Sequence, residues 1–366
     1  MSTVKGLRTV AIAGILGTGL ALYAGAASAQ GFSTERPGSI LIFPKVINNG
    51  QDTRIQITNT SNSMRNAHCF YTNGASFNGQ PLWQVTDFDL VLTRQQPTSW
   101  TASAGRPVNP QDSQTGLDPG LIPPVADGFT GSLLCVEVDV GGAPVGSNSL
   151  IGTATVGTIE GPGIGATNVE GQYNAVAIAA CNDPQGACGA SGGAIDTDNV
   201  LSLDNVEYAA CPGGSYLNFV SEGIGEDPIL SGLGNGPGIV SSNLTMIPCG
   251  ADFENLVPVS TTLNGQVRDE FELRSSISQF DIDCFLTASL DEPLFGGAFN
   301  RPTTFGSGII TPLSAPGNVP GIGVVTSLWT AADGTSDTAI TNLHFCTDEA
   351  ADCTTVNSEI RLPNFR

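Results

Sequence analysis

The residue types that most often carry out catalysis are scarce in this chain. A general base that works near neutral pH is usually a histidine, and the 366 residues contain two, His68 and His344. Each lies beside an aromatic residue in a segment with the pattern of a strand, which favours a structural role. Residues 189–193 have the letters of a nucleophile elbow, but no segment with a helical pattern follows them. We therefore predict that the protein is not an enzyme.

A group of acidic residues has the chemistry to bind a hard cation. Asp196, Asp198 and Asp204 lie in a loop that leads into a strand, and clustered carboxylate oxygens are the ligands that Ca²⁺ prefers. The spacing does not match an EF-hand, because Leu201 occupies the position that requires glycine. Calcium binding is one expectation for this loop, and a solvated acidic loop without a metal is the other.

Nine cysteines provide a third kind of chemistry, the formation of disulfide bonds. Cys-x-x-Cys is absent, which removes the main support for a zinc ribbon or a thioredoxin-like site. Spacing favours three pairings within the chain, which are Cys181 with Cys188, Cys346 with Cys353, and Cys211 with Cys249. Unpaired thiols in the two short loops are the alternative.

Three further cysteines, Cys69, Cys135 and Cys284, leave at least one thiol without a partner in the chain. Cys135 alternates in step with Glu137 and Asp139, so we expect it on the outer side of a sheet. Cys284 alternates in step with apolar residues, so we expect it in a core. A bond between Cys135 and Cys284 is therefore not expected.

The charge balance excludes one class of partner. The chain has 13 Lys plus Arg against 34 Asp plus Glu, which gives a net charge of -21. Phosphate backbones and anionic lipid surfaces are bound by clustered cations. Nucleic acid is therefore not an expected partner.

Residues 1–29 have the pattern of an export signal. Lys5 and Arg8 precede an apolar run, and Ala27-Ser28-Ala29 supplies the small residues that a signal peptidase accepts. An uncleaved membrane anchor is the alternative, because the run approaches the length of a membrane span. No later segment is apolar enough to span a bilayer. We expect a secreted or cell-surface bacterial protein that does not span the membrane after cleavage, in a compartment where disulfide bonds persist.

The elements that must position these residues are strands. Apolar and polar residues alternate with a period of two along the chain, for example at residues 54–57, 87–92 and 134–140. With 46 glycines and 23 prolines, the composition favours many short elements joined by turns. We predict an all-β fold of two antiparallel β-sandwich domains, Ig-like or jelly-roll-like, that disulfide bonds fasten.

Glycines interrupt the alternation between residues 223 and 242. The chain beyond residue 29 is also longer than one ordinary sandwich. We therefore expect an N-terminal sandwich of residues 30–222, a Gly-rich linker of residues 223–242 and a C-terminal sandwich of residues 243–366.

The strand near residue 40 differs from the others, because apolar residues occupy both of its faces. Ile40 and Ile42 lie on one face, and Leu41 and Phe43 lie on the other. Such a strand needs cover on both sides. One hypothesis is that residues 39–46 complete the sheet of a neighbouring subunit, as in exported fibres. The alternative is that they form the first strand of their own sandwich.

Several segments resemble a group of exported bacterial proteins of unassigned function. These segments are residues 38–46, 57–61, 68–71, 148–152, 208–212 and 248–254. The resemblance covers most of the chain beyond residue 29 and implies a secreted, Ig-like β-sandwich. It supplies no catalytic residue.

These observations predict a structural role outside the cell. We expect a subunit of a cell-surface or fibre-like assembly, with other copies of itself or other surface proteins as partners. The alternative is a monomeric adhesin or carbohydrate-binding module that binds glycans, with calcium as a candidate cofactor. Exposed tryptophans could stack on sugars, although Trp83, Trp100 and Trp329 are in a type of fold whose tryptophans usually lie in the core.

Overall fold

The computed structural model shows an almost entirely β fold. It describes residues 31–78, 80–109, 117–158, 168–182, 188, 192–220, 223–225, 238–300, 305–331, 336–345 and 354–364. The signal predicted at residues 1–29 lies outside these ranges. Within them, no helix has the length and hydrophobicity of a membrane span.

Twenty-seven strands follow one another along the described residues. The first fourteen are β1 (Phe32–Ser33), β2 (Ile40–Asn48), β3 (Gln51–Asn59), β4 (Arg65–Asn73), β5 (Ser76–Phe77), β6 (Gln80–Pro81), β7 (Gln84–Leu92), β8 (Pro97–Thr101), β9 (Phe129–Val138), β10 (Leu150–Thr158), β11 (Asn168–Asn174), β12 (Val176–Ile178), β13 (Val200–Leu203) and β14 (Cys211–Pro212). The others are β15 (Ser215–Val220), β16 (Gly223–Gly225), β17 (Gly238–Pro248), β18 (Ala251–Asp252), β19 (Ser260–Asp269), β20 (Arg274–Asp283), β21 (Leu286–Ser289), β22 (Phe305–Pro312), β23 (Gly321–Ala331), β24 (Ser336–Asn342), β25 (His344–Phe345), β26 (Thr355–Val356) and β27 (Ser358–Arg361). One 3-10 turn, Pro293–Phe295, follows β21.

The first half of the chain forms a ten-stranded sheet. Its main order is β11-β10-β3-β2-β9-β4-β7, with β12 beside β2, β1 beside β12 and β8 beside β3. The centre of this sheet is covered on both faces. Leu41 and Phe43 of β2 belong to one buried cluster, and Ile40 and Ile42 belong to another. This double cover explains why β2 is apolar on both faces.

Two five-stranded sheets lie in the second half. One has the order β20-β19-β22-β15-β25, and the other has the order β16-β17-β23-β24 with β21 beside β17. Residues such as Leu217, Leu244, Leu263 and Val325 form a shared core between them. The strand pairs are antiparallel except that of β18 with β27. The prediction of an all-β, sandwich-type fold with disulfide bonds is confirmed.

Strand pairs connect the two regions that the sequence predicted as separate domains. β13 pairs with β27, β14 pairs with β26, and β15 pairs with both β22 and β25. These pairs join the regions 30–222 and 243–366, and their division into two domains stays a prediction. Within the predicted linker, residues 223–225 pair with residues 238–240 as β16 and β17, so these parts of it are strands.

Lys45 joins the two halves through a buried hydrogen bond. It is the only lysine after residue 29 and is 8% exposed. Its Nζ donates to Oγ1 of Thr326 on β23 at 2.6 Å. The ten-stranded sheet is therefore in direct contact with the second half of the chain.

Candidate functional site

Three disulfide bonds lie among the described residues. Two of them, Cys181–Cys188 and Cys211–Cys249, join the cysteines that spacing had paired. The third joins Cys69 to Cys135, and Cys284 is buried without a disulfide partner among the cysteines that the structure describes. Cys346 and Cys353 lie outside the described residues, so their pairing stays a prediction.

The expectation that Cys135 faces outward is wrong. Cys69 and Cys135 lie directly opposite each other on β4 and β9, and both are fully buried. β9 is a central strand, so residues of both its faces are in a core: Leu133 and Cys135 in one cluster, Leu134 and Val136 in the other. The alternation showed which residues share a face, but not that both faces are covered.

Glu137 is buried for the same reason, although its charge had suggested an outer face. Its carboxylate accepts hydrogen bonds from Ser39 Oγ at 2.8 Å, from the Ser147 backbone N–H at 3.0 Å and from Ser149 Oγ. Burial raises the pKa of this carboxyl, and the three hydrogen bonds act against that rise. Glu137 therefore links β9 by hydrogen bonds to the residues just before β2 and β10, and its carboxylate is not a free acid.

The segment proposed for assembly lies inside its own sheet. Residues 40–43 pair with β9 on one edge, and residues 40–42 pair with β12 on the other. Ile40, Leu41, Ile42 and Phe43 are at most 1% exposed. In this single chain the segment forms the first long strand of its own sandwich, which is the alternative that the sequence left open. Donation to a neighbour stays a prediction, and it would require these pairs to break.

The three aspartates proposed for calcium bind nearby backbone N–H groups instead of converging. Asp196 Oδ1 accepts from the N–H of Asp198, and Asp198 Oδ1 accepts from the N–H of Val200. Asp204 Oδ1 accepts from the N–H of Val206 at 2.8 Å. Across the part of the chain that the structure describes, no group of three or more His, Cys, Asp or Glu side chains is arranged to hold a metal ion. Calcium binding stays a prediction.

Beside this loop lies an acid that sequence reasoning missed. Glu207 is 5% exposed, and its Oε2 accepts from the Ser202 N–H at 2.7 Å. Its Oε1 and the hydroxyl of Tyr208 are buried without a hydrogen-bond partner among the described residues. Burial, with a contribution from Asp196 and Asp198, raises the pKa of Glu207 to about 7. No sequence pattern distinguished Glu207 from an exposed acid, because its burial depends on how the fold packs around it.

His68 and the tryptophans have structural surroundings, whereas His344 is exposed on β25. His68 Nδ1 lies 2.6 Å from Asp89 Oδ1, and its ring is 6% exposed in the sheet. Trp100 and Trp329 are 4% and 5% exposed, too buried to stack on a sugar. Trp83 stacks on Phe253 with ring centroids 6.2 Å apart. Ser191 of the elbow-like motif lies outside the described residues.

A groove crosses the outer face of the sheet β20-β19-β22-β15-β25. It encloses about 930 Å³, and residues of the loop 312–318 form one of its walls. Six of the residues that line it lie on three strands, namely Asn264, Gln266, Ser276, Gln279, Ile309 and Thr311. We call this feature the outer groove.

The strand register assembles the outer groove. Gln266 lies opposite Ile309 on one side and opposite Ser276 on the other. Asn264 lies opposite Thr311, whose Oγ1 donates to Asn264 Oδ1 at 2.9 Å. Directly opposite residues of an antiparallel pair point to the same side. The amide and hydroxyl groups therefore form a continuous polar surface across the strands.

The wall of the outer groove is fixed to the sheet. The Leu313 N–H donates to the Thr262 carbonyl at 3.0 Å, and Asn318 Oδ1 accepts from the Thr262 N–H at 3.1 Å. Thr261 Oγ1 donates to the Val319 carbonyl at 2.7 Å. Such pre-organisation reduces the conformational entropy that the protein loses when a ligand binds.

Two arginines lie one row beyond the groove on the same face. Arg268 and Arg274 are directly opposite each other on β19 and β20, two residues from Gln266 and Ser276. Both are exposed. Neither guanidinium forms an ion pair with a carboxylate within the described ranges. Like charges in this arrangement lower the stability of a sheet.

The chain was compared with protein-family models and with curated proteins, and neither comparison finds a match. The resemblance to exported bacterial sandwich proteins therefore stays a prediction. The outer groove and the arginines beside it are the features from which a function is inferred.

Proposed function

We propose that this protein is an exported adhesin-type binding module that holds a ligand in the outer groove. The groove carries this proposal: it is a large polar surface with a wall that is already fixed. Binding sites are concave surfaces in which a few placed polar groups fix the orientation of the ligand. Recognition, rather than catalysis, is the activity that such a surface supports.

The position of β2 favours a self-contained module over a strand-donating subunit. Its two edges are already paired within the chain, so β2 is a central strand of its own sheet. Extracytoplasmic location is supported by the three disulfide bonds and by the export pattern of residues 1–29.

Assembly into a surface structure remains the second candidate, and one observation favours it. β20 pairs with β19 on one edge, and no strand in the described residues pairs with its other edge. An open edge can accept a strand from another chain. The partner would be another copy of this protein or another surface protein.

Binding of the purified protein to surface material of the bacterium that produces it tests the first proposal. Gln266→Trp should fill the groove and abolish binding, whereas Gln84→Trp, at an exposed position of β7, should bind as the unmodified protein does. Equal binding by both variants would overturn the proposal. Light scattering tests the second candidate in its homopolymeric form, because a polymer would favour assembly and a monomer would exclude assembly from copies of this protein alone.

A further inference from the structure

The polar side chains of the outer groove are free to bind a ligand. Gln266, Ser276 and Gln279 form no side-chain hydrogen bond with any of the described residues, and Asn264 uses only its Oδ1, toward Thr311. A primary amide offers two N–H donors and a carbonyl acceptor. Several such groups in one row match a ligand that carries many hydroxyl groups, each of which can both donate and accept.

The apolar part of the surface also suits a sugar ring. Ile309 lies in the middle of the row, between Gln266 on β19 and Tyr216 on β15. Tyr216 is 37% exposed, so part of its ring reaches solvent on this face. Sugar rings have apolar C–H faces as well as hydroxyl edges, and a partly exposed aromatic ring packs well against such a face.

A peptide fits this site less well. A peptide that binds by strand addition needs an open sheet edge that runs along it. The outer groove instead crosses the faces of β20, β19 and β22, and both edges of β19 and of β22 are already paired. The side chains, rather than the backbone, are therefore what a ligand in the groove meets.

The arginine pair adds a charge to this pattern. The protein has 34 acidic and 13 basic residues, yet Arg268 and Arg274 face each other without a carboxylate partner in the described chain. Neither guanidinium forms an ion pair with the exposed acidic residues of the turn that joins β19 and β20, Glu270 and Glu272. A cross-strand pair of like charges that lowers sheet stability is a candidate functional position. Guanidinium groups bind carboxylates and sulfates through paired N–H donors.

We propose that the outer face binds an acidic oligosaccharide, with the sugar hydroxyl groups on the amide row and a carboxylate or sulfate on Arg268 and Arg274. This proposal rests on the proposed function of the outer groove as a binding surface. It names the ligand class and adds two residues outside the groove itself.

Calorimetric titration with oligosaccharides of six units tests the proposal. The probes are hexagalacturonate, a sulfated hexasaccharide from carrageenan, and uncharged cellohexaose and mannohexaose. We expect at least one acidic probe to bind and the uncharged probes to bind about tenfold more weakly or not at all, as the loss of charge-assisted hydrogen bonds implies. The two acidic probes distinguish a carboxylate from a sulfate.

The variant Arg268→Gln/Arg274→Gln should lower affinity for the acidic probe about tenfold or more. Its matched control is Arg54→Gln/Arg94→Gln, which removes the same charge at exposed positions elsewhere. Because all four side chains are exposed, circular dichroism should show both variants folded. Equal binding of acidic and uncharged probes, an unchanged affinity in the first variant, or no binding of any probe would overturn the proposal.

The surface-binding experiment separates this inference from the proposed function. If Gln266→Trp abolishes binding to surface material but no oligosaccharide binds, the ligand is not an acidic glycan and the binding function stands. If treatment of that material with protease removes the binding, the ligand is a protein. If Gln266→Trp has no effect on surface binding, the proposed function itself is wrong.

Discussion

The centre of the ten-stranded sheet and the outer face of β19 and β20 treat charged residues in opposite ways. In the first region both faces are covered, and the one carboxylate on β9, Glu137, is bound by three donors. In the second region one face is open, and two arginines lie opposite each other without an acidic partner in the described residues. The polar groups of the first region have protein partners, and those of the second region lie exposed without partners in the described residues.

The difference depends on whether other parts of the protein pack against a face of the sheet, and not on strand composition alone. β2 is buried along its first seven residues, whereas β19 alternates between buried and open positions. Residues on covered faces must satisfy one another, because an unpaired buried polar group costs free energy. Residues on the open face are under no such requirement, because water can satisfy their polar groups.

The largest expected effect separates the two regions by stability. Phe43→Ala, in the covered sheet, should lower the free energy of unfolding by about 3–5 kcal/mol, because it empties a fully packed site. Ile309→Ala, on the open face, should cost less than half as much, since this side chain is only partly buried. Denaturation with urea measures both. Similar losses would show that the outer face is covered in solution.

The second effect concerns the Cys69–Cys135 disulfide bond of the ten-stranded sheet. Cys69→Ala/Cys135→Ala should lower the free energy of unfolding by about 2–5 kcal/mol, since the bond closes a long loop between β4 and β9. Cys284→Ala, which breaks no disulfide bond, is the control. Urea denaturation of both variants under non-reducing conditions tests this. A loss no larger than that of the control would contradict it.

A third effect depends on pH and involves Glu207. Its pKa of about 7 in the folded protein exceeds its ordinary value of 4.5, so the folded state holds a proton that the unfolded state releases between these values. The stabilisation is complete below about pH 4.5 and is lost as the pH rises through 7. We expect the free energy of unfolding to fall by about 1–2 kcal/mol over this range.

Glu207→Gln isolates that contribution, because glutamine stays neutral at every pH. Glu137 also has a raised pKa, so the unmodified protein shows the sum of both groups. Melting temperatures between pH 4.5 and 8 should decline more steeply in the unmodified protein than in Glu207→Gln. Parallel curves would show that Glu207 does not titrate in this range.

The smallest effect has the opposite sign. Arg274→Gln should raise the free energy of unfolding by about 0.2–1 kcal/mol, because it removes a like charge directly opposite Arg268. Arg54→Gln, opposite Thr101 on the neighbouring strand, should leave stability nearly unchanged. The expected gain should diminish at high salt. A loss of stability in Arg274→Gln would mean that the arginines already have a stabilising partner.

Sequence patterns predicted the fold class well and the surroundings of individual residues poorly. Period-two alternation predicted strands, and close spacing indicated the Cys181–Cys188 bond. The same alternation placed Cys135 and Glu137 on an outer face, because a period of two gives the side of a sheet but not what packs against it. Residues 39–46 suggested strand donation for the same reason. Two apolar faces indicate that both must be buried, but they do not show whether the same chain or a neighbouring one buries them.

The outer groove had no signal in the sequence. Its lining residues come from separate strands and loops between residues 213 and 356, and only the register of β19, β20 and β22 brings them together. Amides and hydroxyls at alternate positions are also ordinary on the solvent side of any sheet. The cross-strand position of Arg268 and Arg274 depends on the turn between β19 and β20, which the sequence alone did not specify.

The buried position of Lys45 makes the protein unusual as a reagent. The residue is 8% exposed, and its amine donates a hydrogen bond to Thr326. If residues 1–29 are removed as predicted, the terminal amine is the accessible primary amine. Coupling to an amine-reactive surface would then attach every molecule by the same end. The outer face of β19 and β20 would be presented uniformly, which suits the immobilised format of a glycan-binding measurement.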